Sequence, residues 1–161
     1  MLYGTIESPI GELLLAGEED ELKVLHMQGG RRPLTPPADW TRSEDAFAPL
    51  RAQLGEYFAG RRRHFDLTLA PTGNPFDLAV WDALLEIPYG ETVSYGELAA
   101  RIGHPGAPRA VGVANGRNPI AVIVPCHRVI GADGSLTGYG GGLERKRLLL
   151  DLEAGVQALP L

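Results

Sequence analysis

The chain has 161 residues, a net charge of −5, and 22 % charged and 44 % hydrophobic residues, the profile of an ordinary globular protein long enough for one domain or two small packed ones. Its single cysteine excludes an internal disulfide, no apolar run approaches the roughly 20 residues of a membrane span, and the first residues lack the basic and apolar blocks of a signal peptide, so a cytoplasmic protein is expected. The acidic total argues against a nucleic-acid partner, yet from Leu98 to Ala132 there is no Asp or Glu, while Arg101, His104, Arg109, Arg117, His127 and Arg128 fall there. Because screening limits distant charges to about 10 Å, a locally basic face on an acidic protein can still bind phosphates; a buried low-charge region fits the same distribution.

In chain order, residues 2 to 27 alternate like strands, broken by Ser8-Pro9-Ile10-Gly11 and Gly17-Glu18-Glu19-Asp20, and predict an antiparallel meander. Gln28 to Thr41, with its glycines and prolines, reads as a loop. Phe47, Leu50, Leu54 and Phe58 recur at helical spacing from Ser43 onward, with Gly60 closing the helix. The triple arginine Arg61-Arg62-Arg63 reads first as a solvated helix end. His64 to Leu69 predicts one more strand, and Pro71-Thr72-Gly73 a boundary.

Asn74-Pro75 then forms a helix start, with Phe76, Val80, Leu84 and Ile87 on one apolar face. Ser94 followed by Glu97 is a capping box opening a short helix that turns Leu98 and Ile102 inward. A second short helix, about Ala107 to Asn115, follows a glycine-containing turn, which gives the outline of a helix-turn-helix. That helix carries little bulk: Ala107, Ala110, Gly112 and Ala114. Glycine there costs about 1 kcal/mol against alanine, so some close approach should explain it, either to a neighbouring helix or to a DNA minor groove only about 6 Å wide.

Ile120 to Val124 is a continuous apolar run that predicts a buried strand ending at Pro125 and Cys126. A free cysteine is most often a small hydrophobe. Beside His127 and Arg128, however, it has the electropositive neighbours and the base that thiolate formation needs. Neighbouring strand residues point to opposite sides, so a water bridge or a turn between Cys126 and His127 is expected rather than direct contact. No suitable His and carboxylate cluster for zinc is evident, and no metal or cofactor is expected.

Pro125-Cys126-His127-Arg128-Val129 resembles the active-site motif of the O6-alkylguanine-DNA alkyltransferases of the bacterial Ogt type. The resemblance extends in order through Ile87-Pro88-Tyr89-Gly90-Glu91-Thr92, Ser94-Tyr95-Gly96-Glu97-Leu98-Ala99, Arg109-Ala110-Val111-Gly112, Asn118-Pro119 and Gly138-Tyr139-Gly140-Gly141-Gly142-Leu143, covering about residues 72 to 153. It implies direct-reversal DNA repair: a single-turnover transfer of the alkyl group from O6-alkylguanine to Cys126, with O4-alkylthymine left open.

By the same resemblance His127 activates the thiol through a water and Glu153 orients His127, while Tyr95 donates to guanine N3. Backbone carbonyls of Cys126 and Val129 select guanine, and Pro125, Val129, Tyr139 and Gly140 line the pocket. Gly140 stands where some members carry serine, leaving only a backbone N–H toward O6. Arg109 fills the gap left by the flipped base, Ala107, Ala110, Gly112 and Ala114 form the minor-groove face, and Asn118 braces the active-site segment. The implied partner is double-stranded DNA, bound by a monomer, with clustering on DNA left open.

The zinc site of some members needs cysteines this chain lacks. The expected fold class is α/β: an N-terminal α/β domain (1–70) with a small antiparallel sheet, and a mostly helical C-terminal domain (71–161) with the helix-turn-helix. A cysteine hydrolase using Cys126 and His127, or a non-catalytic reader of alkylated guanine, are the competing readings.

Overall fold

A computed structural model describes residues 1–18 and 20–156. Strands β1 (Leu2–Ile6), β2 (Leu13–Glu18) and β3 (Glu21–Met27) form the expected meander, and the short β4 (Thr41–Arg42) adds in parallel to β1, giving the order β3-β2-β1-β4. The Ser8–Gly11 turn is held by its own serine, whose Oγ donates to Gly11 O at 2.6 Å and accepts from Ile10 N at 3.2 Å. Register shifts between Ala16 and Gly17, and a Cβ at position 17 would stand 2.0 Å from Glu21 O, so this bulge requires glycine.

Helix α1 (Ala48–Phe58) starts later than the periodicity predicts. Ser43 N donates to Tyr3 O at 2.8 Å, which prolongs the β4 pairing, and Phe47 sits in the left-handed region with φ 64° at the helix start. Leu50, Leu54, Tyr57 and Phe58 face the core. Of the strand expected over His64 to Leu69, only a bridge forms, Leu69 with Leu22. The segment is pinned to α1 instead, because the Gln53 side chain donates to Asp66 O at 3.1 Å and accepts from Asp66 N at 2.9 Å.

Helix α2 (Pro75–Leu84) begins where the sequence places it, with Asn74 Oδ1 accepting from Asp77 N at 2.8 Å. The capping box likewise forms at α3 (Tyr95–Arg101): Glu97 N donates to Ser94 Oγ at 3.0 Å and Ser94 N to Glu97 Oε1 at 3.3 Å. A turn through Gly103, at φ 81°, leads to α4 (Pro108–Gly116), which packs on α2 and α3. Two residues, β5 (Val93–Ser94), pair in parallel with β6 (Val129–Ile130), and α5 (Leu143–Ala154) ends in a left-handed Gly155.

The strand expected over Ile120 to Val124 is not formed. Ile120 makes a single bridge to Leu25, after which Val122 adopts φ 70° and the backbone folds on itself, Val124 N donating to Ile120 O at 3.0 Å and Cys126 N to Val124 O at 2.8 Å. A short buried apolar run has the same composition whether it is a strand or a coiled turn, so periodicity could not separate them. Cys126 therefore opens a one-turn 3-10 helix, Cys126–Arg128, rather than ending a strand.

One apolar core runs through both halves, joining Leu25, Leu54 and Tyr57 to Leu84, Ile120, Leu149 and Leu152. Among the described residues the fold is mixed α/β, a four-stranded sheet and a two-stranded pairing with five α-helices. No helix among the described residues is long and apolar enough to cross a membrane.

Candidate active site

The 3-10 turn at Cys126–Arg128 points three consecutive side chains in different directions, as roughly 120° per residue requires. Cys126 is buried but lines a cleft of about 800 Å³, which Asn118, Tyr139, Gly140, Met27, Arg31 and Arg32 also line. His127 is fully buried, and its Nε2 lies 2.7 Å from Glu153 Oε2. Arg128 forks onto the same carboxylate, Nε to Oε1 at 2.7 Å and Nη2 to Oε2 at 3.0 Å, while Nη1 donates to Ile87 O at 2.6 Å.

These contacts settle the charges. Burial alone would raise Glu153, but hydrogen bonds and charge from His127 and Arg128 outweigh it and hold the carboxyl at about 2. An ionised carboxylate can only accept, so His127 carries its proton on Nε2, leaving Nδ1 with a lone pair. That Nδ1 is buried and has no partner among the described residues. Burial lowers the basicity of His127 more than Glu153 raises it, with Arg128 and Lys146 opposing the imidazolium, so the ring is neutral near pH 7. Burial raises the Cys126 thiol, with the charge of Lys146 among the groups that counter it. The residue after this reluctant thiol thus carries an imidazole nitrogen with a lone pair and no partner among the described residues.

Lys146 is fully buried on α5, donating to Val129 O at 2.6 Å and Thr137 O at 2.9 Å, and so ties β6 to the loop carrying Tyr139. Burial lowers its pKa while the Cys126 thiolate would raise it. Tyr139 has a buried hydroxyl with no hydrogen-bond partner among the described residues; burial and then the charge of a Cys126 thiolate hold it in its protonated form. Gly140 is exposed, and a Cβ there would meet nothing within 4 Å, so packing does not require glycine.

Asn118 braces the turn before the cysteine: Nδ2 donates to Val124 O at 2.8 Å and Oδ1 accepts from Ile120 N at 3.0 Å. Asn115 Nδ2 reaches Cys126 O at 3.3 Å, tying α4 to the same turn. The two carbonyls that the resemblance assigns to guanine recognition are thus already in use, Cys126 O by Asn115 and Val129 N, and Val129 O by Lys146. Pro125 is buried beside them.

On α4, Arg109, Ala110, Val113 and Gly116 are exposed, with Ala107 and Gly112 half-buried. Ala114 departs from the expected surface face: it is 1 % exposed, and its carbonyl accepts from Trp81 Nε1 at 2.9 Å. Its small size serves packing on α2. Val113, 50 % exposed, occupies the outward position instead, and an aliphatic exposed at mid-helix is a signal that burial alone reveals. A Cβ at Gly112 would meet the Tyr95 ring at 3.6 Å, an ordinary van der Waals contact, so packing on α3 does not require glycine here. Tyr95 is half-buried, its hydroxyl accepting from Thr137 Oγ1 at 3.1 Å.

Sequence reasoning missed Lys146, the grip of Arg128 on Glu153, and Tyr57, whose hydroxyl donates to Glu153 Oε2 at 2.5 Å. Nothing in their local pattern marks them, since each lies far along the chain from its partner.

A cysteine whose neighbour is a neutral, carboxylate-oriented imidazole, set in a cleft under a helix-turn-helix, defines a thiol group-transfer protein with a nucleic-acid-binding element. Residues 75–155 match the model of the DNA binding domain of 6-O-methylguanine DNA methyltransferase, and residues 1–71 that of its ribonuclease-like domain. The methylated-DNA–protein-cysteine methyltransferase of Methanosarcina acetivorans is 55 % identical over 153 residues, 95 % of this chain and 98 % of its own. That of Mycobacterium tuberculosis is 57 % identical over 152 residues, 94 % and 91 % of the two chains. The crystal structure of Mycobacterium tuberculosis OGT in complex with DNA superposes with TM-score 0.91 at 56 % identity, covering 96 % of this chain and 94 % of that one. The chain belongs to the 6-O-methylguanine DNA methyltransferase family.

Proposed function

We propose that the protein is a direct-reversal DNA-repair enzyme, a methylated-DNA–protein-cysteine methyltransferase that moves the alkyl group of O6-alkylguanine irreversibly onto Cys126. The observation that carries this reading is the orphaned Nδ1 of His127, the residue after a buried cysteine that lines a cleft, with Nε2 locked onto Glu153. A water held at Nδ1 relays the thiol proton to the imidazole, and Glu153 stabilises the imidazolium that forms. The thiolate attacks the alkyl carbon, the carbon–O6 bond breaks, and its electron pair returns to guanine, which regains a proton through the hydrogen bonds made to it. The product is a thioether that water does not hydrolyse, so each molecule acts once.

Tyr95 donates to the leaving base at N3 as negative charge develops. Pro125, Val129, Tyr139 and Gly140 shape the pocket, and one lone pair of the Val129 carbonyl stays free for the exocyclic amine. The exposed face of α4, Arg109, Ala110 and Val113 with Ala107 and Gly112 beside it, enters the minor groove of double-stranded DNA, and Arg109 fills the place of the extruded base at a flipping cost of a few kcal/mol. Residues 71–161 supply the reacting groups and DNA contacts, and residues 1–70 support them. The protein acts as a monomer in the cytoplasm.

Cys126→Ser tests the assignment. It is expected to abolish dealkylation of O6-methylguanine duplex DNA while DNA binding persists; full dealkylation by the variant would remove Cys126 from the chemistry.

A further inference from the structure

We propose that Tyr57, on α1 of the N-terminal half, is a positioning residue for alkyl transfer: its hydroxyl shares a Glu153 oxygen with His127 and so sets how firmly that carboxylate holds the imidazolium. The inference rests on the reading of Cys126 as acceptor and His127 as its base. Tyr57 is fully buried, and its hydroxyl donates at 2.5 Å to Glu153 Oε2, the oxygen that also receives His127 Nε2–H at 2.7 Å and Arg128 Nη2 at 3.0 Å.

The ring is held on several sides. It meets Phe58 edge-on at 5.3 Å, Phe65 tilted at 5.4 Å and Tyr89 edge-on at 6.2 Å, and the Arg63 and Arg128 guanidinium groups lie over Tyr89 at 5.3 and 5.7 Å. So fixed, the phenol has one direction to donate. Burial, then the charge of Glu153, keeps it protonated across the working range, so it acts as a permanent donor. A buried tyrosine hydroxyl needs some partner, and a main-chain carbonyl would suffice for stability. Here the partner is the carboxylate that orients the base.

The consequence is electrostatic. An oxygen that already accepts a phenol proton has less negative charge left for the imidazole. The groups acting on His127 are Glu153 and Lys146 from α5 and Arg128 from its own turn, with Tyr57 from α1 and Tyr89 beyond α2 acting through Glu153. Arg128 and Lys146 disfavour the imidazolium and Glu153 favours it. Removing the Tyr57 hydroxyl strengthens the one favouring group, so His127 takes up its proton at higher pH and is withdrawn as a base sooner on acidification.

The test is the pH dependence of single-turnover alkyl transfer from O6-methylguanine duplex DNA, in the full chain. In Tyr57→Phe the acid limb is expected to move up by about half a pH unit. With 3-fluorotyrosine placed at position 57, a stronger donor of nearly the same shape, it is expected to move down. Acid limbs that coincide with wild type, with rates lowered only in proportion to the folded fraction, would overturn the proposal. If Tyr57→Phe does not fold, the fluorotyrosine protein decides alone, and an unmoved limb overturns it. Absence of alkyl transfer in the wild type would sink the functional reading instead; the His127 imidazole titration followed by NMR in the same three proteins then decides the Tyr57 coupling, upheld by the same opposed shifts and overturned by their absence.

Discussion

At the scale of single residues, Glu153 bears the most. It accepts from His127, Arg128 and Tyr57, and all three donors are buried. Glu153→Gln keeps the shape and removes the charge, leaving the buried Arg128 guanidinium uncompensated. A loss of about 3 kcal/mol or more is expected by denaturant unfolding, because removing one partner of a buried pair exposes the desolvation cost of the other. A change under 1 kcal/mol would mean that Arg128 finds other compensation.

The sign of the pH effect follows from the same group. Glu153 is depressed to about 2 when folded, so its contribution is complete above the unfolded carboxyl value near 4.5 and is lost as pH falls toward 2. The lowered His127 acts in the same sense, since the unfolded imidazole takes up a proton near 6.5 that the buried one refuses. Thermal unfolding should therefore show stability falling from about pH 6.5 downward, with the carboxyl adding to the loss below about 4.5. A melting temperature flat between pH 7 and 4 would contradict this charge assignment.

At the scale of elements, α4 is the one whose two sides do different work. Val111, Ala114 and Asn115 pack inward, and Arg109, Ala110 and Val113 face out. Arg109→Ala is expected to slow repair in duplex DNA by tenfold or more while leaving reaction with the free modified base within about twofold, roughly the difference between losing and keeping a flipping cost of a few kcal/mol. Equal losses on both substrates would deny Arg109 its place in the stack.

The start of this element was legible in the sequence, as were the capping box at Ser94 and the Asn74 cap, because each depends on residues within one helical turn. Its faces were not. Small residues on a helix fit a groove or a neighbouring helix equally well, and only tertiary packing assigns Ala114 to Trp81. The turn at Ile120 to Val124 was unreadable for a related reason, since burial on all sides erases the period that separates strand from turn.

At the scale of the whole molecule, the N-terminal half completes the site as well as the core. Leu25 bridges Ile120 just before the cysteine turn, Arg145 on α5 donates to Ile10 O at 2.8 Å and to Gly141 O at 3.1 Å, and Tyr57 reaches Glu153. The cysteine and its histidine stood out in the sequence because they are adjacent, whereas Gly138 to Leu143 and Glu153 entered only through the family resemblance. The cross-chain contacts, over 96 residues for Tyr57 and Glu153, left no trace in any short window.

The most direct test of the central claim is mass analysis of the protein after incubation with excess duplex DNA carrying O6-methylguanine, followed by peptide mapping. One methyl group per molecule, on the peptide containing Cys126, with reaction stopping after one equivalent, is the predicted result. Continued turnover, or a methyl group on any other residue, would contradict it.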